Sequence, residues 1–401
     1  MSKTDSSKSG TVVAFGDVVR LSKERSKDPA ADGFERYIGL EHLSPDDMRV
    51  RTWGDIDDGT TFTNVFRPGQ VLFGKRRAYQ RKVAVADFAG VCSSDIYVLE
   101  PQDDRLLPEL LPFLCQSEPF YDYVISMSQG GLSPRVNWKA LAKYEFALPP
   151  IADQRRVGEA LRSATCVVEA LREVEEWSVT LRDRLIVDLI EQGLGGQKTS
   201  TGPIGRFPAH WEICPIGDRY EIRLGKMVSA GAKQIGDLTP YLRNANVQWN
   251  RLDLDDVAFM RFSDEERMKL RLEWGDILAC EGRHVGKSAI WRGEIAGACY
   301  QKALHRLRAR SDRDHPEYML HCLRYFSVSG RFTAEVGETT IPHLAAVRFK
   351  AMLFPFPSKS EQVEIGDMIE DFDSGVLDIG LRRAAAQDLR AACFHAGMRR
   401  S

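Results

Sequence analysis

The densest positive charge in the chain lies in Lys75-Arg76-Arg77-Ala78-Tyr79-Gln80-Arg81-Lys82, five cations in eight residues with an aromatic and a carboxamide among them. Lysine and arginine neutralise phosphate, arginine forks fit guanine edges, and Asn or Gln carboxamides fit adenine. A second set holds Arg283, His284 and Lys287, with Gln301 and Lys302 close behind and Arg243-Asn244-Ala245-Asn246 upstream. These residues are the candidates for contact with double-stranded DNA. The plainer reading of each set is a solvated hairpin tip.

The string Gly282-Arg-His-Val-Gly286-Lys287-Ser288 also resembles a phosphate-binding P-loop. Such a loop needs four residues between its glycines, so that successive N–H groups cradle the phosphates, and it must open a helix. Here there are three, and Ser288-Ala-Ile-Trp-Arg-Gly reads as a strand running to a turn. A basic β-hairpin loop is the expectation, and an ATP-binding enzyme is the weaker alternative.

Other chemistry lacks its residues. A metal-dependent nuclease commonly carries an acid two residues before a lysine, and no lysine here has one. Amino-methyltransferases need a polar Pro-Pro-aromatic loop against a flipped base; the one Pro-Pro, at 149–150, is flanked by Leu148 and Ile151. No His-Glu-x-x-His or Gly-x-Ser-x-Gly string occurs, and His315 and His321 lack partners at metal-ligand spacing. We expect neither catalytic nor metal-ligating residues.

The net charge of −2 is not that of a protein that grips DNA alone. Either the chain does not bind nucleic acid, or its cations are local and other subunits supply the rest of the grip. An apolar fraction of 43% and the lack of any long apolar run fit a globular protein without a membrane span. The polar residues 1–10 read as a disordered lead-in, and eight scattered cysteines without Cys-x-x-Cys suggest a reduced, cytoplasmic setting.

The elements that must carry the candidates come in duplicate. Pro134, Phe146, Pro149, Gln154, Val157 and Gly158 recur as Pro342, Phe354, Pro357, Gln362, Ile365 and Gly366, all at one offset of 208 residues (342 − 134). Phe15-Gly16-Asp17 and Ala89-Gly90-Val-Cys92 echo as Ile216-Gly217-Asp218 and Ala296-Gly297-Ala-Cys299. Residues 11–149 and 206–357 each read as short β-rich runs followed by a helical patch, an α+β pattern. Each is followed by one long helix, over 150–194 and 358–399, with a flexible linker at 195–205. Gly193 is placed to end the first helix, and Ser358 with Glu361 makes a capping box for the second.

Val157, Leu161, Ala164, Val168, Leu171, Leu181 and Leu185 form a heptad seam on the first helix. Ile365, Ile369, Phe372, Val376, Ile379, Ala386, Leu389, Cys393 and Ala396 form the second. A seam this narrow argues that the helices pack on each other rather than each on its own domain. The twofold relation between the halves makes the pairing antiparallel. Glu175 and Arg383 break the two seams at equivalent places and are expected to meet near the axis.

With these strings in order, the chain resembles the specificity subunits of type I restriction–modification systems. The resemblance rests on Gly69-Gln-Val-Leu-Phe-Gly-Lys-Arg-Arg-Ala-Tyr79, Gly90-Val-Cys-Ser93-Ser-Asp95, Tyr241-Leu-Arg-Asn-Ala-Asn246-Val, Gly275-Asp-Ile-Leu, Leu148-Pro-Pro-Ile-Ala-Asp-Gln154 and Phe207-Pro-Ala-His210-Trp211-Glu212. It implies two tandem target-recognition domains, separated by an antiparallel coiled coil, each reading half of a bipartite asymmetric DNA site. It also implies partners: two modification (methyltransferase) subunits and ATP-dependent restriction subunits. S-adenosylmethionine, Mg2+ and ATP would then sit on those partners and no cofactor on this chain. A detached specificity subunit of a type II-like enzyme and a coiled-coil adaptor without DNA contact are the alternatives.

Overall fold

The computed structural model describes residues 10–45, 47–227, 236–282, 284–336 and 343–399. It divides into two compact units, Met1–Arg172 with Leu381–Ser401, and Glu173–Gly380.

In the first unit an antiparallel sheet runs in the order Val19–Leu21, Ile96–Pro101, Val71–Gly74, Val83–Val85. Strand alternation sends Val71 and Phe73 into one core with Phe15, Phe120 and Leu161, and Leu72 into another with Ile38 and Val98. A central strand covered on both faces must be apolar throughout, which is why Val-Leu-Phe is continuous. A second sheet runs Gly54–Asp55, Arg36–Ile38, Gly90–Cys92, Asn64–Phe66, and its middle pair is parallel. Thr11–Ala14 pairs with Glu145–Leu148 just before the first long helix.

The second unit repeats this plan. Its sheet runs Tyr220–Leu224, Leu304–Ala309, Ile277–Cys280, Ser288–Ile290. Ile277 and Ala279 face one core, Leu278 and Cys280 the other. Tyr241–Leu242 lies parallel to Cys299–Tyr300, and Glu212–Pro215 pairs with Leu353–Phe356 before the second long helix.

The 208-residue offset holds down to single atoms. Gln154, buried, accepts from Leu107 N at 2.9 Å and donates to the carbonyls of Arg105 and Pro149 at 2.7 and 2.9 Å. Gln362, equally buried, accepts from His315 N at 2.9 Å and donates to Arg313 and Pro357 at 3.3 and 3.0 Å. The next repeated residue is explained in the same way. A Cβ on Gly158 would stand 3.2 Å from Glu109, and one on Gly366 would stand 3.2 Å from Glu317. Glycine lets each helix approach the loop that its glutamine ties down.

The long helices span Ile151–Gln192 and Lys359–Arg399. Gly193, with φ +68°, ends the first, and Ser358 and Glu361 exchange the capping-box bonds of the second. The helices run antiparallel within each unit. In the first, Leu161 shares a core with Phe394, and a side chain at Gly397 would run into Val157. In the second, Ile186 and Ile190 share a core with Ile365 and Ile369, and Arg182 meets Asp373 at 3.2 Å. Leu161, Val168, Ile365 and Ile369 are buried, while Val157, Leu171, Leu185, Phe372, Val376 and Ile379 are half-buried. Glu175 and Arg383 belong to different units.

Three positions of the expected seams face outward, Leu181, Leu389 and Ala396. Leu181 and Leu389 are 58% and 63% exposed, and the residues facing inward are Arg182 and Ile186 in one helix, Arg390 and Phe394 in the other. A heptad assumes 3.5 residues per turn, whereas an α-helix has 3.6, so an inward stripe drifts by about 20° per heptad. The slip is identical in both repeats.

The expected linker is also more ordered than its composition suggested. Thr199–Gly202 and Gly205–Pro208 form a hairpin closed by Pro203-Ile204. Its end delivers Phe207 and Trp211 to the core, and His210 Nε2 lies 2.9 Å from Glu361 Oε1. Among the described residues no helix is long and apolar enough to cross a membrane.

Candidate nucleic-acid interface

The basic loop of the first unit joins Val71–Gly74 to Val83–Val85 and lies against residues 129–135. Lys75 N donates to Asp95 O at 3.0 Å, Val136 N to Lys75 O at 3.1 Å and Arg77 N to Pro134 O at 2.7 Å. Asp95 is the hub: it takes Arg76 Nη1 at 3.2 Å and Arg135 Nε at 2.9 Å. Burial would raise its carboxyl, but the two guanidinium groups bring it below its ordinary value. Burial lowers the Lys75 ammonium, which sits 4.6 Å from the centre of the Tyr97 ring.

This geometry divides the seven candidates of the loop. Arg76 is spent on Asp95 and Ser133, Arg81 on Glu118 and the Tyr121 ring, and Lys82 on the carbonyl of Leu40 at 2.6 Å. Arg77 and Tyr79 are exposed, with Gln80 half-buried between them and Arg81. Arg77 and Arg81 both have left-handed backbone, φ +52° and +53°, which turns the loop tightly enough to aim Arg77 outward. Leu132, 96% exposed, stands on the adjoining loop.

In the second unit the equivalent loop follows Ile277–Cys280. Cys280 N donates to Lys287 O at 2.9 Å and Gly286 N to Cys280 O at 3.1 Å, a hairpin turn into the strand Ser288–Ile290. The described residues of this segment therefore present no helix N-terminus to a phosphate. Arg283 lies outside the described residues. His284 and Lys302 are exposed, whereas Lys287, Gln301 and Asn244 are half-buried. Asn244 Nδ2 donates to Gly282 O at 3.3 Å and Gln301 N to Leu242 O at 3.0 Å, so the three segments share one edge.

Arg243 and Asn246 have structural partners instead. Asn246, buried, accepts from Arg243 N at 2.9 Å and donates to the carbonyls of Asp253 and Asp256. His42 caps Gly39 N at 3.0 Å in the same way in the first unit. Arg243 Nη2 is fixed to Asp256 at 2.8 Å.

Sequence reasoning missed Arg135, Glu281 and His343. Glu281 N donates to Ala303 O at 3.0 Å and Leu344 N to Glu281 O at 2.8 Å, the bonds made by Lys75 in the first unit. Glu281 is buried and meets His343 Nε2 at 3.1 Å; burial raises its carboxyl, against the pull of His343 and Lys302. Arg135 and His343 are themselves 208 residues apart (343 − 135), a signal available in the sequence.

The family described as Type I restriction modification DNA specificity domain matches residues 208–382. The chain is 27% identical over 185 residues to the MjaX type I restriction enzyme specificity subunit described for Methanocaldococcus jannaschii, covering 43% of this chain and 41% of that one. It is 21% identical over 173 residues to the EcoDI specificity subunit of Escherichia coli, covering 41% and 38%. The chain thus spans less than half the length of these relatives. A chain from a solved type I restriction–modification system, described for its complex assembly and conformational transition, aligns over 98% of both chains with a TM-score of 0.60 at 18% identity, a likeness of fold. Residues 208–382 are thus similar to the type I restriction modification DNA specificity domain, and the chain as a whole shares the fold of that solved chain.

Proposed function

We propose that the chain is the non-catalytic sequence-reading subunit of a type I restriction–modification complex and recognises a bipartite, asymmetric site in double-stranded DNA. One observation carries this reading. The two units build the same backbone edge and furnish it with different side chains: Arg77, Tyr79 and Gln80 in one, Asn244, His284, Gln301 and Lys302 in the other. A shared frame with unlike polar groups is what reading two unlike half-sites requires. The antiparallel helices would set the spacer between them.

The same helices offer a surface for the modification subunits. Val174, Trp177 and Leu181 recur at three- and four-residue steps and are 48%, 75% and 58% exposed, an apolar stripe turned away from the core. S-adenosylmethionine, Mg2+ and ATP would be bound by the modification and restriction partners, which would also help to neutralise phosphate around this nearly neutral chain. The complex would work in the cytoplasm.

The test is to map methylated adenines in cellular DNA with and without this gene. A two-part motif with a fixed gap, present only with the gene, is expected. Exchanging residues 206–357 for those of a relative should change one half of it and leave the other. A continuous motif, or none, refutes the reading.

A further inference from the structure

In each unit, a loop following the short turn at 40–42 or 244–246 reaches a long helix through polar side chains. Asp47, nearly fully buried, accepts from Arg49 N at 3.0 Å and Arg51 Nε at 3.1 Å, and meets Arg172 of the first long helix at 3.2 Å. One turn earlier on that helix Glu169 takes the other end of the Arg51 fork and faces Arg49 at 3.8 Å. Burial would lower the Arg51 guanidinium, but Asp47 and Glu169 together raise it above its ordinary value.

The second unit does the same with other groups. Asn250, at φ +52°, donates from its carboxamide to Glu370 Oε1 of the second long helix at 2.8 Å. Trp249 lies 4.6 Å below the Arg324 guanidinium, which forks onto Asp183 of the first long helix at 2.7 and 3.0 Å. Glu370 also meets His321 at 3.3 Å. The loop therefore engages both helices, one directly and one through Arg324.

Partly buried ion pairs add little net stability, because desolvation offsets attraction; their best-attested use is to fix one arrangement among several. Here corresponding loops of the two repeats reach a long helix through unrelated side chains and at points about two turns apart in the repeat, Glu169 in one and Glu370 in the other (370 − 208 = 162), so the shared property is the attachment and not the sequence. We propose that Asp47–Arg51 and Trp249–Asn250 are positioning latches. Each holds its recognition body at one setting on the helix pair of its own unit, and so keeps the two reading edges in step with a single spacer length. The proposal rests on the DNA reading above.

The test uses the full chain assembled with its modification subunits. Adenine methylation is measured on duplexes carrying the native spacer and spacers one base pair longer and shorter. Glu169→Ala keeps a good helix former, and Asn250→Gly keeps the left-handed backbone. Each should lower discrimination between spacers about tenfold, the scale of one lost hydrogen bond to a charged group, with both half-site sequences unchanged. Glu169→Gln, which can still accept from Arg51, should recover most of it. Discrimination within about twofold of the unaltered complex in both variants, or changed half-site bases, overturns the latch while leaving the DNA reading intact. If the unaltered complex shows no two-part site, the DNA reading fails and the latch falls with it.

Discussion

Replacing Gln154 by Ala tests whether the repeated glutamine is what fastens each long helix to its globular body. The side chain is 1% exposed and makes three hydrogen bonds, to Leu107 N, Arg105 O and Pro149 O. At a net of about 1 kcal/mol each, these contribute about 3 kcal/mol, and a Leu107 N–H left dry and unpaired adds to the loss. For a body of some 200 residues this lowers the melting temperature by roughly 6–12 °C. Gln362→Ala removes the same three bonds in the second unit and should cost the same. The two sites share no partner, so the double variant should be additive within about 0.5 kcal/mol. Calorimetry gives the unfolding temperatures, and native-state hydrogen exchange at the Leu107 and His315 amides locates the loss. A cost below about 1 kcal/mol for either variant, or unchanged protection of both amides, refutes the account.

Four further outcomes are expected. Arg77→Ala and Tyr79→Ala should weaken DNA binding of the assembled complex several-fold without shifting its melting temperature, the first reducing the salt slope by about one. Asp95→Asn, which frees Arg76 and Arg135, should weaken recognition at one half-site only, read from methylation of duplexes altered in either half. Trp177→Glu should leave stability within about 0.5 kcal/mol yet prevent co-purification with the modification subunits. Burial would raise the Glu361 carboxyl, but hydrogen bonds from His210, Gln197 and Ser358 bring it down to about 2. Its contribution to stability is therefore complete above about 4.5, the ordinary glutamate value, and lost as pH falls towards 2; acid titration of Glu361→Gln should lack that component.

The sequence by itself determined the duplication, the α+β character of each half, the two long helices with their Gly193 and Ser358 boundaries, and the resemblance to type I specificity subunits that the match over 208–382 bears out for that segment. These follow from local periodicity, capping chemistry and a constant offset, all of which survive in one dimension. The hairpin at 282–288 was legible for the same reason, since the glycine spacing and the following apolar run are local.

Only the tertiary structure decided which candidate cations are available. Five charges in 75–82 looked equivalent, yet Asp95, Glu118 and the Leu40 carbonyl, distant in sequence, engage Arg76, Arg81 and Lys82 and leave Arg77 and Tyr79 outward. Asn246 resembled a base reader and is a cap, because its carboxamide finds backbone partners up to ten residues away. The seam slipped from Leu181 to Arg182 and from Leu389 to Arg390 because a heptad template carries no memory of the 3.6-residue turn across a polar gap. In each case the side chain's partner, not its type, fixed its role, and partners are set by the folded chain.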